Sequence, residues 1–208
     1  MSDIMVEATN LVKTYKVGQV EVNALRGVNL TVRRGDMISI MGPSGCGKTT
    51  LLNMLSGLDE PSSGTVRIEG MDLSQMTDNE KTEHRAKRMG FIFQFYNLLP
   101  VLTAVENVEL PLLVSGTSSK EAREQAIDIM NTVGLEKVIH SKPGALSGGE
   151  RQSVTIARAL ISKPAIIWGD ELTGDLDDET ANNIMHLDAT LRDETKATFV
   201  IVTHNPEV

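Results

Sequence analysis

Residues 42 to 49, Gly-Pro-Ser-Gly-Cys-Gly-Lys-Thr, follow GxxxxGKT without a mismatch, directly after an apolar run, Met37-Ile38-Ser39-Ile40-Met41, that reads as a strand. Few patterns constrain a fold as tightly. Gly42, Gly45 and Gly47 let successive backbone N–H groups converge on an anion, and a helix beginning near Lys48 adds the positive end of its dipole. Lys48 can then reach the β- and γ-phosphates of a nucleotide, and the Thr49 hydroxyl can take a Mg²⁺ position. Strand, loop and helix in that order imply an α/β architecture. A glycine-rich turn that binds nothing would not require the lysine, hydroxyl, strand and helix to coincide.

Bulk properties limit the setting. A chain of 208 residues fits one domain with a substantial core. With 20 basic against 28 acidic residues, net charge −8 and only seven aromatics, no nucleic-acid-binding surface is expected. The single cysteine, Cys46, excludes an intramolecular disulfide and a multi-cysteine zinc site, and suits a reducing, cytosolic compartment. The start, Met-Ser-Asp-Ile-Met-Val-Glu, lacks the basic-then-apolar order of a secretion signal. Nowhere do about 18 apolar residues run together, so no membrane span is expected.

Strand-like composition occurs at 4 to 9, 20 to 22, 28 to 33, 65 to 69, 89 to 93, 165 to 169 and 198 to 203. Helices are predicted at 49 to 56, 78 to 87, 118 to 134, 150 to 162 and 178 to 192. In the third of these, Ser118 and Glu121 form a capping-box pattern, Ala122, Ala126, Ile129, Met130 and Val133 share a face, and Gly134 marks the end.

The strand at 165 to 169 ends in Asp170-Glu171, which places two carboxylates at the sheet edge where α/β proteins bind ligands. Asp170 would hold the Mg²⁺ shell, and Glu171 could orient and deprotonate an attacking water. Leu146-Ser147-Gly148-Gly149-Glu150 opens another helix, with Ser147 and Glu150 in capping-box register. Two adjacent glycines leave amides accessible there, a second place suited to phosphate oxygens.

With these residues the chain resembles the ATP-binding-cassette (ABC) ATPases over essentially its whole length. The resemblance implies a P-loop NTPase core with an antiparallel β subdomain and an inserted α-helical subdomain. The division would be 1 to 94 with 160 to 208 for the core, and 95 to 159 for the helical part. It assigns ATP to a site formed by Tyr15, which stacks on adenine, and by Gly42, Pro43, Ser44, Gly45, Cys46, Gly47, Lys48, Thr49 and Thr50. Mg²⁺ would be held through Thr49, Gln94 and Asp170. Gln94 is the Q-loop glutamine, Glu171 the general base, Asp177 the end of the D-loop and His204 the switch histidine. Ser147, Gly148 and Gly149 form the signature, which binds the γ-phosphate held by the opposite subunit. A homodimer closing around two ATP molecules follows, since one subunit's signature completes the other's site.

The segment Phe93-Gln94-Phe95-Tyr96-Asn97-Leu98-Leu99-Pro100, followed by Glu106-Asn107-Val108-Glu109-Leu110-Pro111, looks like the branch serving lipoprotein release, macrolide efflux and antimicrobial-peptide export. The resemblance therefore implies a separate transmembrane permease and a peripheral position on the cytoplasmic face of the membrane. Phe95, Tyr96, Leu98 and Leu99 are the expected permease contact, with burial in the cassette's own core as the other reading. Gly169, Leu172 and Ser153 stand where this family usually has Ala, Pro and Arg, and Asp188 falls on an otherwise apolar helix face. Cassettes of this type usually continue past the switch histidine, so the sequence reads as a truncated chain. A soluble cassette acting on ribosomes or nucleic acid, and a nucleotide-binding regulator without turnover, are the competing classes.

Overall fold

The computed structural model describes residues 3–170 and 197–203. Glu171, Leu172, Asp177, Asp188, His204 and the helix expected at 178 to 192 lie outside the described residues.

Strand β1 (Ile4–Val17) pairs antiparallel with β2 (Val20–Arg33), where composition suggests only three short strands. The ladder shifts register between Ala8 and Leu11, around Asn10, which takes φ 49° while its N–H donates to Asn29 Oδ1 at 2.9 Å. Such bulges break the period-two pattern that reveals strands without ending the pairing. On the other side of β1 lies β4 (Ser63–Ile68), and β5 (Met71–Asp72) forms the edge. The second sheet is parallel, in the order β3 (Met37–Met41), β8 (Thr198–Thr203), β7 (Ile166–Asp170), β6 (Met89–Ile92). Every residue of β7 and β8 is buried, as central strands covered on both faces must be.

The turn from β4 to β5 carries an ion cluster. Glu69 accepts from Arg88 Nη2 at 2.7 Å and Nε at 3.0 Å, and from Arg34 Nη2 at 3.1 Å. The Arg88 bonds, against partial burial, hold its carboxyl down to about 2. A lowered carboxyl pKa stabilises the fold above its ordinary value of 4.5, and that contribution is lost as pH falls toward 2. Both arginines are nearly half exposed, so solvent screens the cluster. Glu69→Gln is expected to cost ~1–2 kcal/mol at neutral pH. The measurement is thermal unfolding of both proteins at about pH 7 and about pH 3, with the gap in Tm shrinking in acid. An equal gap at both would remove the charge as its cause.

Helices α1 (Lys48–Leu55) and α2 (Asp78–Arg88) flank the sheets, and three more form a second cluster: α3 (Ala104–Val114), α4 (Ser119–Thr132) and α5 (Gly148–Leu160). The sequence carries one signal for α3, the capping-box spacing of Thr103 and Glu106, but Pro111 inside the helix interrupts the pattern that would extend it. The proline falls in the last turns, where it costs one helix bond. A Thr103–Glu106 capping box and burial of Ala104, Val105, Val108 and Leu112 outweigh that cost. In α4 the expected capping box is half formed. Ser118 Oγ accepts from Glu121 N–H, but the Glu121 carboxylate accepts from Gln125 instead of returning to Ser118.

Helix α5 joins the two clusters. Val154, Ala157 and Ile161, just past its end, pack among α3 and α4, whereas Ile156, Ala159 and Leu160 pack with Ile92, Ile167 and Phe199 of the parallel sheet. The approach to β6 is so close that a Cβ at Gly90 would lie 2.4 Å from the Ala159 carbonyl oxygen. Only glycine fits there.

Candidate functional site

The loop after β3 turns into α1 through Gly47, whose φ of 100° and position 2.7 Å (as a built Cβ) from the Ala24 carbonyl oxygen exclude a side chain. As helix N-cap, Gly47 provides no side-chain hydrogen bond, in contrast to the capping boxes that begin α2, α3 and α5. The first amides of α1 therefore lack a side-chain cap at the position where the sequence predicts phosphate. Lys48, buried, folds back over the loop, and its Nζ donates to the Gly42 carbonyl at 2.8 Å and the Pro43 carbonyl at 3.2 Å.

Thr49 Oγ1 donates to Asp170 Oδ1 at 3.2 Å across 121 positions of sequence. The parallel register makes this possible: Met41 at the end of β3 pairs with Thr203, and Val202 pairs with Asp170 at the end of β7. Both strands thus deliver their carboxyl ends to one edge. A hydroxyl and a carboxylate meeting there suit Mg²⁺, which takes a few protein oxygens and completes its shell with phosphate and water. Among the described residues no group of three or more His, Cys, Asp or Glu could form a cage of protein ligands alone.

Residues 43–50, Tyr15 and Gln94 all line one open cavity of about 1280 Å³. Gln94 follows β6, whose Ile92 pairs with Gly169, so it stands beside the Asp170 end of β7. Tyr15 comes from β1, and its hydroxyl donates to Asp59 Oδ2 at 3.1 Å. Ser147, Gly148 and Gly149 are not among the described residues of that lining. They start α5, where Ser147 Oγ accepts from Glu150 N–H at 3.2 Å and Glu150 Oε2 accepts from Ser147 N–H at 2.7 Å, the capping box the sequence predicts. Ser147 itself is exposed.

Several contacts at the site had no sequence signal. Tyr96 and Asn97 take φ of 60° and 48° just beyond Gln94, and their carbonyls accept from Arg158 Nη2 and Nη1, each at 2.7 Å. The Arg151 guanidinium lies 5.3 Å from the Tyr96 ring centroid. The segment after Gln94 is thereby fastened to α5, the helix that carries Ser147 at its start. The apolar group expected to share one surface is split. Phe95 and Leu99 are exposed and Tyr96 is half-buried, whereas Leu98 packs against the α3–α5 cluster. Ser153 is half-buried in α5, and Gly169 is buried in β7.

The ABC transporter family profile matches residues 25–174. The lipoprotein-releasing system ATP-binding protein LolD of Psychrobacter arcticus is 49% identical over 206 residues, covering 99% of this chain and 91% of that protein. The macrolide export ATP-binding/permease protein MacB of Syntrophobacter fumaroxidans is 41% identical over 98% of this chain but only 29% of its own length. Among solved structures, the dimeric post-hydrolysis state of the ATP-binding cassette MJ0796 bound to ADP and Pi superposes with a TM-score of 0.91 at 43% identity, covering 98% of this chain and 89% of that one.

Proposed function

Because this chain belongs to the ABC transporter family, we propose that it is the ATP-hydrolysing subunit of a membrane transport or mechanotransmission complex of the lipoprotein-release and macrolide-export branch. The observation that carries the reading is the Thr49–Asp170 hydrogen bond, which brings the phosphate loop and the second nucleotide motif to one edge of the parallel sheet. Tyr15 stacks on adenine, the backbone N–H groups within residues 42–50, Pro43 excepted, and the Lys48 ammonium hold the phosphates, and Thr49, Asp170 and Gln94 would hold Mg²⁺. When bound, that ion would supply neutralisation of phosphate charge. Glu171 takes a proton from the attacking water, and His204 contacts the γ-phosphate.

Ser147, Gly148 and Gly149 stand outside the cavity lining, so they serve the site of a second copy, and ATP closes a C₂ dimer. Loss of the γ-phosphate removes that bridge and lets the pair reopen. The solved MJ0796 cassette is dimeric with ADP and Pi bound, which supports this arrangement.

Among the described residues no helix is long and apolar enough to cross a membrane. MacB combines ATP-binding and permease in one name, and this chain aligns with 29% of it. LolD, covered to 91% of its length, is named only as the ATP-binding protein of a releasing system, and on that likeness the partner assigned here is a separate transmembrane permease, with this chain on the cytoplasmic membrane face. Phe95, 74% exposed, follows Gln94 and lies between Phe93 and Asn97, two residues that line a groove of about 350 Å³ between α2 and α5. An amphipathic permease helix seated there would feel movement at Gln94.

Phosphate release from Mg-ATP by the purified chain tests the enzymatic part. Phe95→Asp is expected to keep that basal rate within about twofold, since an exposed substitution leaves the core untouched. The same variant should lose co-purification with the permease and any stimulation by it. Normal co-purification would move the docking surface elsewhere, and no phosphate release by the unaltered chain would sink the ATPase reading.

A further inference from the structure

We infer that Lys13 and Asp59 are positioning residues that lock the Tyr15 ring in its base-stacking orientation and index it to the phosphate-loop helix. The inference rests on the reading of Tyr15 as the adenine contact. Lys13 Nζ donates to Asp59 Oδ1 at 2.9 Å and to the Glu60 carbonyl at 2.7 Å, and it lies 4.9 Å from the centroid of the Tyr15 ring. The Tyr15 hydroxyl donates to the other oxygen of the same carboxylate, Asp59 Oδ2, at 3.1 Å. One carboxylate therefore holds both the rim of the ring and the cation over it. A cation over one face leaves the opposite face for a base, and Tyr15 lines the nucleotide cavity.

Asp59 is well placed to transmit position. It follows α1, the helix that begins at the phosphate loop, and backbone bonds tie it to that helix: Leu58 N–H and Asp59 N–H both donate to the Asn53 carbonyl, at 2.9 and 3.2 Å. The Glu60 N–H donates to Asp59 Oδ1 at 2.7 Å, which restrains the carboxylate itself. Two further bonds fasten the same loop to β1 on either side of Lys13: Ser62 N–H to the Val12 carbonyl at 2.8 Å, and Thr14 N–H to Ser62 Oγ at 3.0 Å. Burial raises the Asp59 pKa, but the bonds from Lys13, Glu60 and Tyr15 outweigh it and hold the carboxyl below its usual range. The latch is thus charged at neutral pH. Phosphate loop, α1, Asp59 and Tyr15 form one continuous strut, so the distance between phosphate site and base site is set before nucleotide arrives.

A ring held ready loses less freedom on binding than one that must be ordered by the base. Cutting the latch should therefore weaken base binding and leave phosphate binding alone. Tyr15→Phe keeps the ring and removes only its hydroxyl; Asp59→Asn removes the charge. Each is expected to raise KM for ATP by about threefold to tenfold, with kcat changed by less than about twofold. Competition by tripolyphosphate, which has no base, should remain as in the unaltered chain. Lys13→Met should match Asp59→Asn, and the double variant should be no worse than either single one, because both break one unit.

Tyr15→Ala separates the two levels of the argument. If it leaves KM for ATP unchanged, the base-stacking reading fails and the latch with it. If it raises KM while Tyr15→Phe and Asp59→Asn behave as the unaltered chain, stacking stands and the latch is overturned. Should the latch variants weaken tripolyphosphate as much as ATP, their effect belongs to the phosphate loop and the inference fails. Tyr15→Phe leaves the loop's backbone bonds untouched, so it decides the matter even where Asp59→Asn unfolds.

Discussion

Lys48→Ala is expected to lower ATP affinity by about a hundredfold or more and to reduce phosphate release to background, because charge-assisted bonds to the ground-state phosphates are lost along with transition-state stabilisation. The position of the ammonium argues for a large effect. Lys48 is 9% exposed and its Nζ is already held by the Gly42 and Pro43 carbonyls at the loop, so it needs little reorganisation to meet a phosphate. The fold should survive, since α1 is anchored by Leu51, Leu52, Met54 and Leu55, all of which point into the core. Calorimetric titration with Mg-ATP, alongside a thermal melt, measures both. An unchanged affinity in a folded variant would remove Lys48 from nucleotide binding.

Glu171→Gln should act on a different step. The substitution keeps shape and hydrogen-bonding capacity but cannot accept a proton, so turnover is expected to fall by a factor on the order of 10² or more while ATP affinity stays near that of the unaltered chain. Its effect on assembly should be equally large. With hydrolysis stalled, ATP should hold two copies together in gel filtration, whereas ADP should leave monomers, because in the proposed shared site it is the γ-phosphate that bridges to Ser147 and Gly149 of a second copy. Turnover close to normal would disqualify Glu171 as the base. A dimer that forms equally without nucleotide would contradict the shared site.

Local chemistry made much of the site legible. The loop between β3 and α1 is legible because its glycines, lysine and threonine fall within eight residues, and the Ser147–Glu150 capping box because its two members stand three residues apart. The strands at 165 to 169 and 198 to 203 were found almost to the residue, since burial on both faces makes such strands uninterrupted apolar runs. Where the physics was local but irregular, legibility failed. Asn10 and its neighbours bulge and hide the length of β1, and Pro111 interrupts the pattern of α3, whose stability comes from a capping box and from packing against α4 and α5.

The sequence by itself determined the chemical inventory: which residues can bind phosphate, accept a proton or cap a helix, and the α/β order of the elements that carry them. Only the tertiary structure decided which of those residues meet. Thr49 reaches Asp170 because two parallel strands end at one edge; Asp59 holds Tyr15 because the loop after α1 returns to β1; Arg158 grips Tyr96 and Asn97 because α5 crosses behind the segment that follows Gln94. The physical reason is the range of the forces involved. Hydrogen bonds and ring contacts act over a few ångströms, so partners 121 or 44 positions apart become neighbours only after burial of the shared core has brought their elements together.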